Sequence, residues 1–200
     1  VYLNKGIFDM LEPLLSSQSY IKKVEEYTNQ EIDINFDLIR ELPINISFDN
    51  LRYAFQIAGI QPNIDSPYLE VKSHEKMKNK IIIQRTFRYR NQFINYKFLN
   101  NYHDIYFIGT NSEYQDMKKE VTNLKFYECK DFLEMAKIIN SSKFFIGNSS
   151  VGFPIAEAFP GTLFQGRPNF RGSPLRISLG HGVSFSLGRL FALGLGGNQP

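Results

Sequence analysis

Short apolar runs separated by amphipathic stretches give the middle of the chain its clearest order. Lys80-Ile-Ile-Ile-Gln84 is a β-branched run of the kind that forms a buried parallel strand, and Asp104-Ile-Tyr-Phe-Ile-Gly109 is a second. Phe126-Tyr-Glu-Cys129 is a shorter third and Lys143-Phe-Phe-Ile-Gly147 a fourth. Between them the apolar spacing becomes helical. Tyr114, Met117 and Val121 share one helical face behind Ser112 and Gln115, which read as a capping box. Phe132, Leu133, Ala136 and Ile139 follow the same device at Asp131 and Glu134. Strand, helix, strand, helix in this rhythm predicts an α/β fold, a doubly wound parallel sheet with crossover connections.

Upstream of Lys80 the pattern is thinner. Ile7 to Leu15 reads as a helix ending near Ser16, Tyr20 to Tyr27 as a strand or a helix, and Asn50 to Ala58 as a helix stopped by Gly59 with Pro62 behind it. Gln61-Pro-Asn-Ile-Asp-Ser-Pro67 has the composition of a linker. The expected organisation is a remnant of a preceding domain over residues 1–66, a nucleotide-binding domain over 67–165, and an irregular Gly-rich tail over 166–200. The chain begins at Val1 rather than Met, which reads as a fragment with upstream sequence missing.

Composition changes this picture mainly at the tail. With 42% hydrophobic and 22% charged residues the chain is globular in type. The formal charge of +3 is unevenly placed: the 20 acidic residues all lie at or before Glu157 against 14 Lys and 5 Arg, which sums to −1, and Arg167, Arg171, Arg176 and Arg189 supply the remaining +4. Basicity confined to such a tail gives no reason to expect a nucleic-acid partner. Residues 159–200 also hold 9 of the 14 glycines and one Ile, Ile177. A disordered extension, a divergent domain end or an out-of-frame translation would each produce this break; the last is favoured, because AT-rich codon residues give way to GC-rich ones within a few positions. Cys129 stands alone, so no intrachain disulfide can form, and a reducing cytoplasmic setting is expected. No run of about 18 apolar residues is present to span a bilayer, so a soluble protein without a transmembrane segment is expected. His74, His103 and His181 lack ligand spacing, and no metal site is expected.

In open parallel sheets ligands sit beyond the carboxyl ends of the strands, which selects three loops. The first, after Ile83, carries Arg85, Arg88 and Arg90; guanidinium forks suit phosphate oxygens, and three in six residues would repel one another without an anion or carboxylates nearby. The second runs from Gly109 to Glu113, where a carboxylate at a first helical turn can serve the helix alone or a ligand. The third is Gly147-Asn-Ser-Ser150 leading into a new helix. With Ser150 as N-cap, the amides of Val151, Gly152 and Phe153 would be unpaired, and with the hydroxyls of Ser149 and Ser150 they would make an anion site. Gly152 then leaves room for a phosphate, and Glu157, further along the helix, could accept ribose hydroxyls. Capping alone explains each loop singly; arginines, an amide-rich helix start and carboxylates on one sheet edge together describe a nucleotide diphosphate site.

With these loops in view, the chain resembles the C-terminal half of a GT-B glycosyltransferase. Ile146-Gly-Asn-Ser-Ser150 followed by Ile155-Ala-Glu-Ala158 looks like the donor-binding strand-turn-helix of that fold, and Phe107-Ile-Gly-Thr-Asn-Ser-Glu113 like its preceding nucleotide loop. Asp9-Met-Leu-Glu-Pro-Leu-Leu15, with Tyr20-Ile21 behind it, resembles a stretch of the ADP-heptose transferase group. The resemblance implies a nucleotide-sugar donor as substrate, a glycan or surface polysaccharide as acceptor, and no cofactor or bound metal. It also implies that Ser149, Ser150 and Gly152 hold the donor diphosphate, Glu157 the ribose and Glu113 the nucleoside, with Asn148 and Gly109 counted among the binding residues of the same loops. The heptosyltransferase pattern has an acidic residue where Asn148 stands and a histidine near Phe153, which leaves the donor open. Its catalytic base comes from the N-terminal domain, so no catalytic residue is named. Gly147-Asn-Ser-Ser150 with Glu157 also resembles the UDP-N-acetylglucosamine 2-epimerases, although Gln84-Arg-Thr-Phe-Arg-Tyr-Arg90 lacks the histidine of their histidine-arginine loop. A noncatalytic α/β binding module is the third reading, since fold alone does not fix function.

Overall fold

The computed structural model describes residues 4–37, 50–61, 67–90, 92–148, 150–159, 176–178 and 183–186, with residues 50–53 and the last two stretches described by backbone alone. The chain divides into two compact units, Glu25–Ser66 and a larger one made of Val1–Val24 with Pro67–Pro200.

In the smaller unit the described helix is α2 (Asn50–Ala58). Gly59 ends it at φ +66°, with Gly59 N donating to Gln56 O at 3.2 Å and Ile60 N to Phe55 O at 3.1 Å. This is the paired-carbonyl stop that a left-handed glycine permits. Residues 62–66 of the expected linker lie outside the described residues.

The larger unit is an α/β layer structure. Its parallel strands are β1 (Ile81–Gln84), β2 (Ile105–Ile108), β3 (Lys125–Tyr127) and β4 (Phe144–Asn148), in the spatial order β3-β2-β1-β4. Two short strands from the tail, β5 (Arg176–Ser178) and β6 (Val183–Ser186), continue the sheet antiparallel beyond β4; the rest of 166–200 lies outside the described residues. Helix α3 (Asn111–Lys118) joins β2 to β3, α4 (Phe132–Ser141) joins β3 to β4, and α5 (Gly152–Glu157) follows β4. Asn79 and Asp104, both at positive φ, turn the chain into β1 and β2, a conformation that Asn and Asp tolerate.

Alternation along β1 explains why the sheet is covered on both faces. Ile82 packs with Met135, Ala136 and Ile139 of α4 and Ile155 of α5, whereas Ile81 and Ile83 pack with Tyr114 and Met117 of α3. Ile82 and Ile83 are completely buried, each worth about 1.5–3 kcal/mol relative to exposure. Helix α1 (Lys5–Ser16), capped by Asn4 through Ile7 N, packs on α4 and adds Leu14 to the first of these layers. Tyr20 to Tyr27, expected as a strand or helix, has neither. Side chains hold its start instead: Tyr20 Oη donates to Tyr68 O, and just before the segment Gln18 Oε1 accepts from Glu70 N at 2.8 Å.

The capping box of α3 sits two residues earlier than the pattern predicts. Thr110, not Ser112, is the N-cap, and its reciprocal partner is Glu113 rather than Gln115. Gly109 sets this register: at φ +146° it bends the chain directly after β2, and a Cβ there would stand 3.0 Å from the Phe107 ring. Thr110→Ala is expected to lower stability by about 1 kcal/mol, read from the urea midpoint, with Thr110→Ser restoring most of it. No loss in the alanine variant would mean that the box contributes nothing. At α4 half of the expected box forms: Asp131 Oδ1 accepts from Glu134 N at 2.7 Å, but Glu134 Oε2 accepts from Lys130 N at 2.8 Å, one residue before the N-cap.

Candidate functional site

The order β3-β2-β1-β4 fixes one place as special. Successive connections run outward from β1 through β2 to β3, and the chain then crosses back to lay β4 on the other side of β1. The carboxyl ends of β1 and β4 therefore flank the point where winding reverses, the position at which open α/β sheets leave a crevice. The loops after these two strands carry Arg85 to Arg90 and Asn148 to Gly152.

Polar groups in these loops mostly pair with one another. Asn148, buried at the end of β4, accepts from Thr86 N at 3.1 Å and donates through Nδ2 to Thr86 O at 2.7 Å, clamping the β1 loop to β4. Gln84 reaches from β1 into the mouth of α5, where its Oε1 accepts from Ser150 Oγ and from Gly152 N, both at 2.9 Å. Phe153 N donates to Ser150 O at 3.0 Å. The N-cap of α5 is Val151, in helical conformation, and no side chain caps it. The expected open amides at Gly152 and Phe153 are thus occupied within the chain. A Cβ on Gly152 would overlap Gln84 Oε1 and stand 2.9 Å from Phe145 Cζ, so any side chain here requires the Gln84 carboxamide to shift. Ser149 lies outside the described residues.

Glu113 is 9% exposed and its carboxylate is committed: Oε2 accepts from Thr110 N and Thr110 Oγ1, and Oε1 accepts from Phe87 N at 3.1 Å. It ties the arginine loop to the start of α3. Glu157 is the last residue of α5, at the opposite end from the mouth, exposed and close to Tyr68. Tyr68 Oη donates to Pro154 O at 2.9 Å, and its pKa is pushed up to about 12, first by burial and then by the Glu157 charge. Glu157→Gln is expected to bring the Tyr68 titration down from about 12. Stability should change by less than about 0.5 kcal/mol. A pH titration of the Tyr68 ring by NMR reads the effect, and an unmoved midpoint would separate the two groups.

The arginines fall into three environments. Arg85 is 2% exposed, and its Nη2 donates to Asp116 Oδ2 on α3. Arg90 reaches the same Asp116 oxygen at 3.0 Å and Glu120 Oε1 at 3.4 Å, and Glu120 Oε2 also accepts from Tyr96 N. Arg88 is exposed, its guanidinium 5.0 Å from the centre of the Tyr89 ring. Asp116 of α3 and Glu120 just beyond its end therefore answer much of the repulsion that the spacing of these arginines implies. The Asp116 carboxyl is held below its ordinary range chiefly by the hydrogen bond from Arg85.

Gln84, Asp116 and Tyr68 organise the region without having been singled out in the sequence. Each acts on a residue more than 25 positions away in the chain, and nothing in local spacing marks such a contact. Among the described residues no group of three or more His, Cys, Asp or Glu could hold a metal ion, and no helix is long and apolar enough to cross a membrane. Burial pushes the Cys129 thiol up to about 12, so it is not a ready thiolate nucleophile. Comparison of the chain with protein-family models, curated proteins and solved structures returns no match.

Proposed function

We propose that the chain is the donor-binding half of a GT-B-type glycosyltransferase, holding a nucleotide diphosphate sugar outside the carboxyl ends of β1 and β4. When a complete acceptor-side domain is present, the sugar passes to a glycan acceptor. The observation that carries this reading is the reversal of strand order between β1 and β4, with an arginine-rich loop on one side and a Ser-Gly helix start on the other. A parallel sheet offers its ligand crevice at that point, and cationic side chains beside it suit a diphosphate.

One observation favours a noncatalytic α/β module instead. The Gln84 carboxamide already satisfies Ser150 Oγ and Gly152 N, the donors that a phosphate would otherwise use. For the glycosyltransferase reading, Gln84 must swing aside when the donor enters. Calorimetric titration with UDP, GDP and ADP separates the two. Saturable binding of one nucleoside diphosphate supports a donor site, and no heat with any of them at millimolar concentration supports the inert module.

A further inference from the structure

The amino-terminal edge of the parallel sheet, opposite the loops described above, collects lysines. Lys143 N donates to Lys80 O at 2.8 Å, and Ile81 stands opposite both Phe144 and Ile105, so Lys143, Lys80 and Asp104 lead side by side into β4, β1 and β2. Lys125 opens β3 beside Tyr106. Neighbouring strands are about 4.8 Å apart, so this row spans roughly 15 Å. Asn79 N donates to Ser141 O at the end of α4, which brings Lys76 and Lys78, on the short turn Glu75–Met77 and its C-cap, to the same edge. From Lys72 to Lys80 four Lys stand against one Glu. Lys76, Lys78, Lys125 and Lys143 are exposed. Asp104, the carboxylate in the row, is shared by Lys80 at 2.8 Å and Lys125 at 3.3 Å; among the described residues no carboxylate pairs with Lys76 or Lys78. Lys76, Lys78, Lys80, Lys125 and Lys143 against Glu75 and Asp104 leave three positive charges in excess, although residues 1–157 as a whole sum to −1.

We propose that this lysine edge is a docking surface for an anionic lipid bilayer, held to the headgroups by charge alone. The ammoniums are spread over strand starts and a turn rather than along a groove, so a plane of charge meets more of them than a single strand of nucleic acid would. They are compact charges on long stems, and the row contains none of the guanidinium forks that grip individual phosphates. Among the described residues, the large apolar side chains left exposed lie outside residues 72–80, 122–125 and 141–143, so the row has no apolar wedge for the acyl layer. The rings nearest to it, Tyr106 and Phe144, are partly buried and already carry Lys125 and Lys143 over their faces, which leaves no platform for a stacked base. Seated this way, the carboxyl ends of β1 and β4 point away from the bilayer, and docking does not depend on what binds there.

The test is co-sedimentation of the 200-residue chain with phosphatidylcholine vesicles, made with and without phosphatidylglycerol. At low salt the chain should sediment with the phosphatidylglycerol vesicles and not with the neutral ones, and added salt should release it as the Debye length shortens from about 30 Å to about 8 Å. Lys76→Gln with Lys78→Gln should weaken binding about 25-fold, at about fivefold for each ammonium lost near the surface. Lys125→Gln with Lys143→Gln should act alike, whereas Lys76→Arg with Lys78→Arg should keep parental binding because the charge stays. All four sites are exposed, so thermal midpoints should hold; if the Lys125 and Lys143 pair does not fold, the Lys76 and Lys78 pair decides. Arg88→Glu, on the loop at the other edge, should leave vesicle binding near the parental value. Failure of the parent to bind at low salt, equal binding to neutral vesicles, or binding that survives all four Gln substitutions overturns the proposal. A DNA duplex bound more tightly than the vesicles through the same lysines would overturn it too, and would assign the edge to nucleic acid.

Discussion

Asp116→Ala is expected to destabilise the chain by about 3–5 kcal/mol, the cost of leaving a buried charge without its partner. Arg85 is 2% exposed and cannot turn to water when the carboxylate is removed. The same substitution releases Arg90, whose other contact is Glu120 at 3.4 Å, so the arginine loop loses its principal tie to α3. Urea unfolding with an unchanged slope would read the effect as stability alone. Lys119→Ala, at the exposed rim of the same network, should cost less than about 0.5 kcal/mol and serves as the control. A loss below about 1 kcal/mol in Asp116→Ala would mean that Arg85 finds an acceptor elsewhere.

The pair has a definite pH signature. The folded-state pKa of Asp116 lies below its ordinary value of 3.8, mainly through the Arg85 hydrogen bond. A lowered value in the folded state stabilises the fold above the ordinary value, and that contribution is lost as pH falls through the lowered one. The parent should therefore lose stability on the acid side, below about pH 4. Asp116→Ala should start less stable and decline less steeply over the same window.

Gly152→Ala is the second large effect. Its methyl would overlap Gln84 Oε1 and crowd the Phe145 ring, so the carboxamide must leave the mouth of α5 and abandon Ser150 Oγ and Gly152 N. Overpacking of this kind costs about 1–3 kcal/mol. Gln84→Ala alone leaves the same two donors unpaired. The double variant should lose less than the sum of the two, with a coupling of about 0.5–3 kcal/mol, because the clash and the lost hydrogen bonds share one cause. Simple additivity would place Gln84 outside the mouth.

The strands and helices were legible because burial imposes a period on sequence. Ile81 to Ile83, Ile105 to Ile108 and Phe144 to Ile146 are apolar on both faces since helices cover both, and Gly59 announced its helix stop through backbone conformation alone. Where two local patterns competed, sequence could not choose. Ser112 with Gln115 and Thr110 with Glu113 both fit a capping box, and the turn at Gly109 selects the second. The loops were harder for a different reason. Arginines, serines and a glycine at strand ends carry the same letters whether they await a ligand or satisfy one another. Gln84 and Asp116, brought in from another strand and another helix, settle many of those contacts. Arg85 lies between the two cases, tied on one nitrogen and unmet on two.

The measurement closest to the central claim is a backbone amide NMR titration of this chain with the nucleoside diphosphate that calorimetry selects. A donor seated at the reversal of strand order should shift resonances in residues 84–90 and 148–153 together, with smaller changes in 109–113, all following one saturation curve. The Gly152 amide should move most as Gln84 gives up its hydrogen bond. Unshifted resonances in these loops at saturating nucleotide, or a binding curve carried by residues elsewhere in the chain, would contradict the assignment of a nucleotide-sugar site to this edge of the sheet.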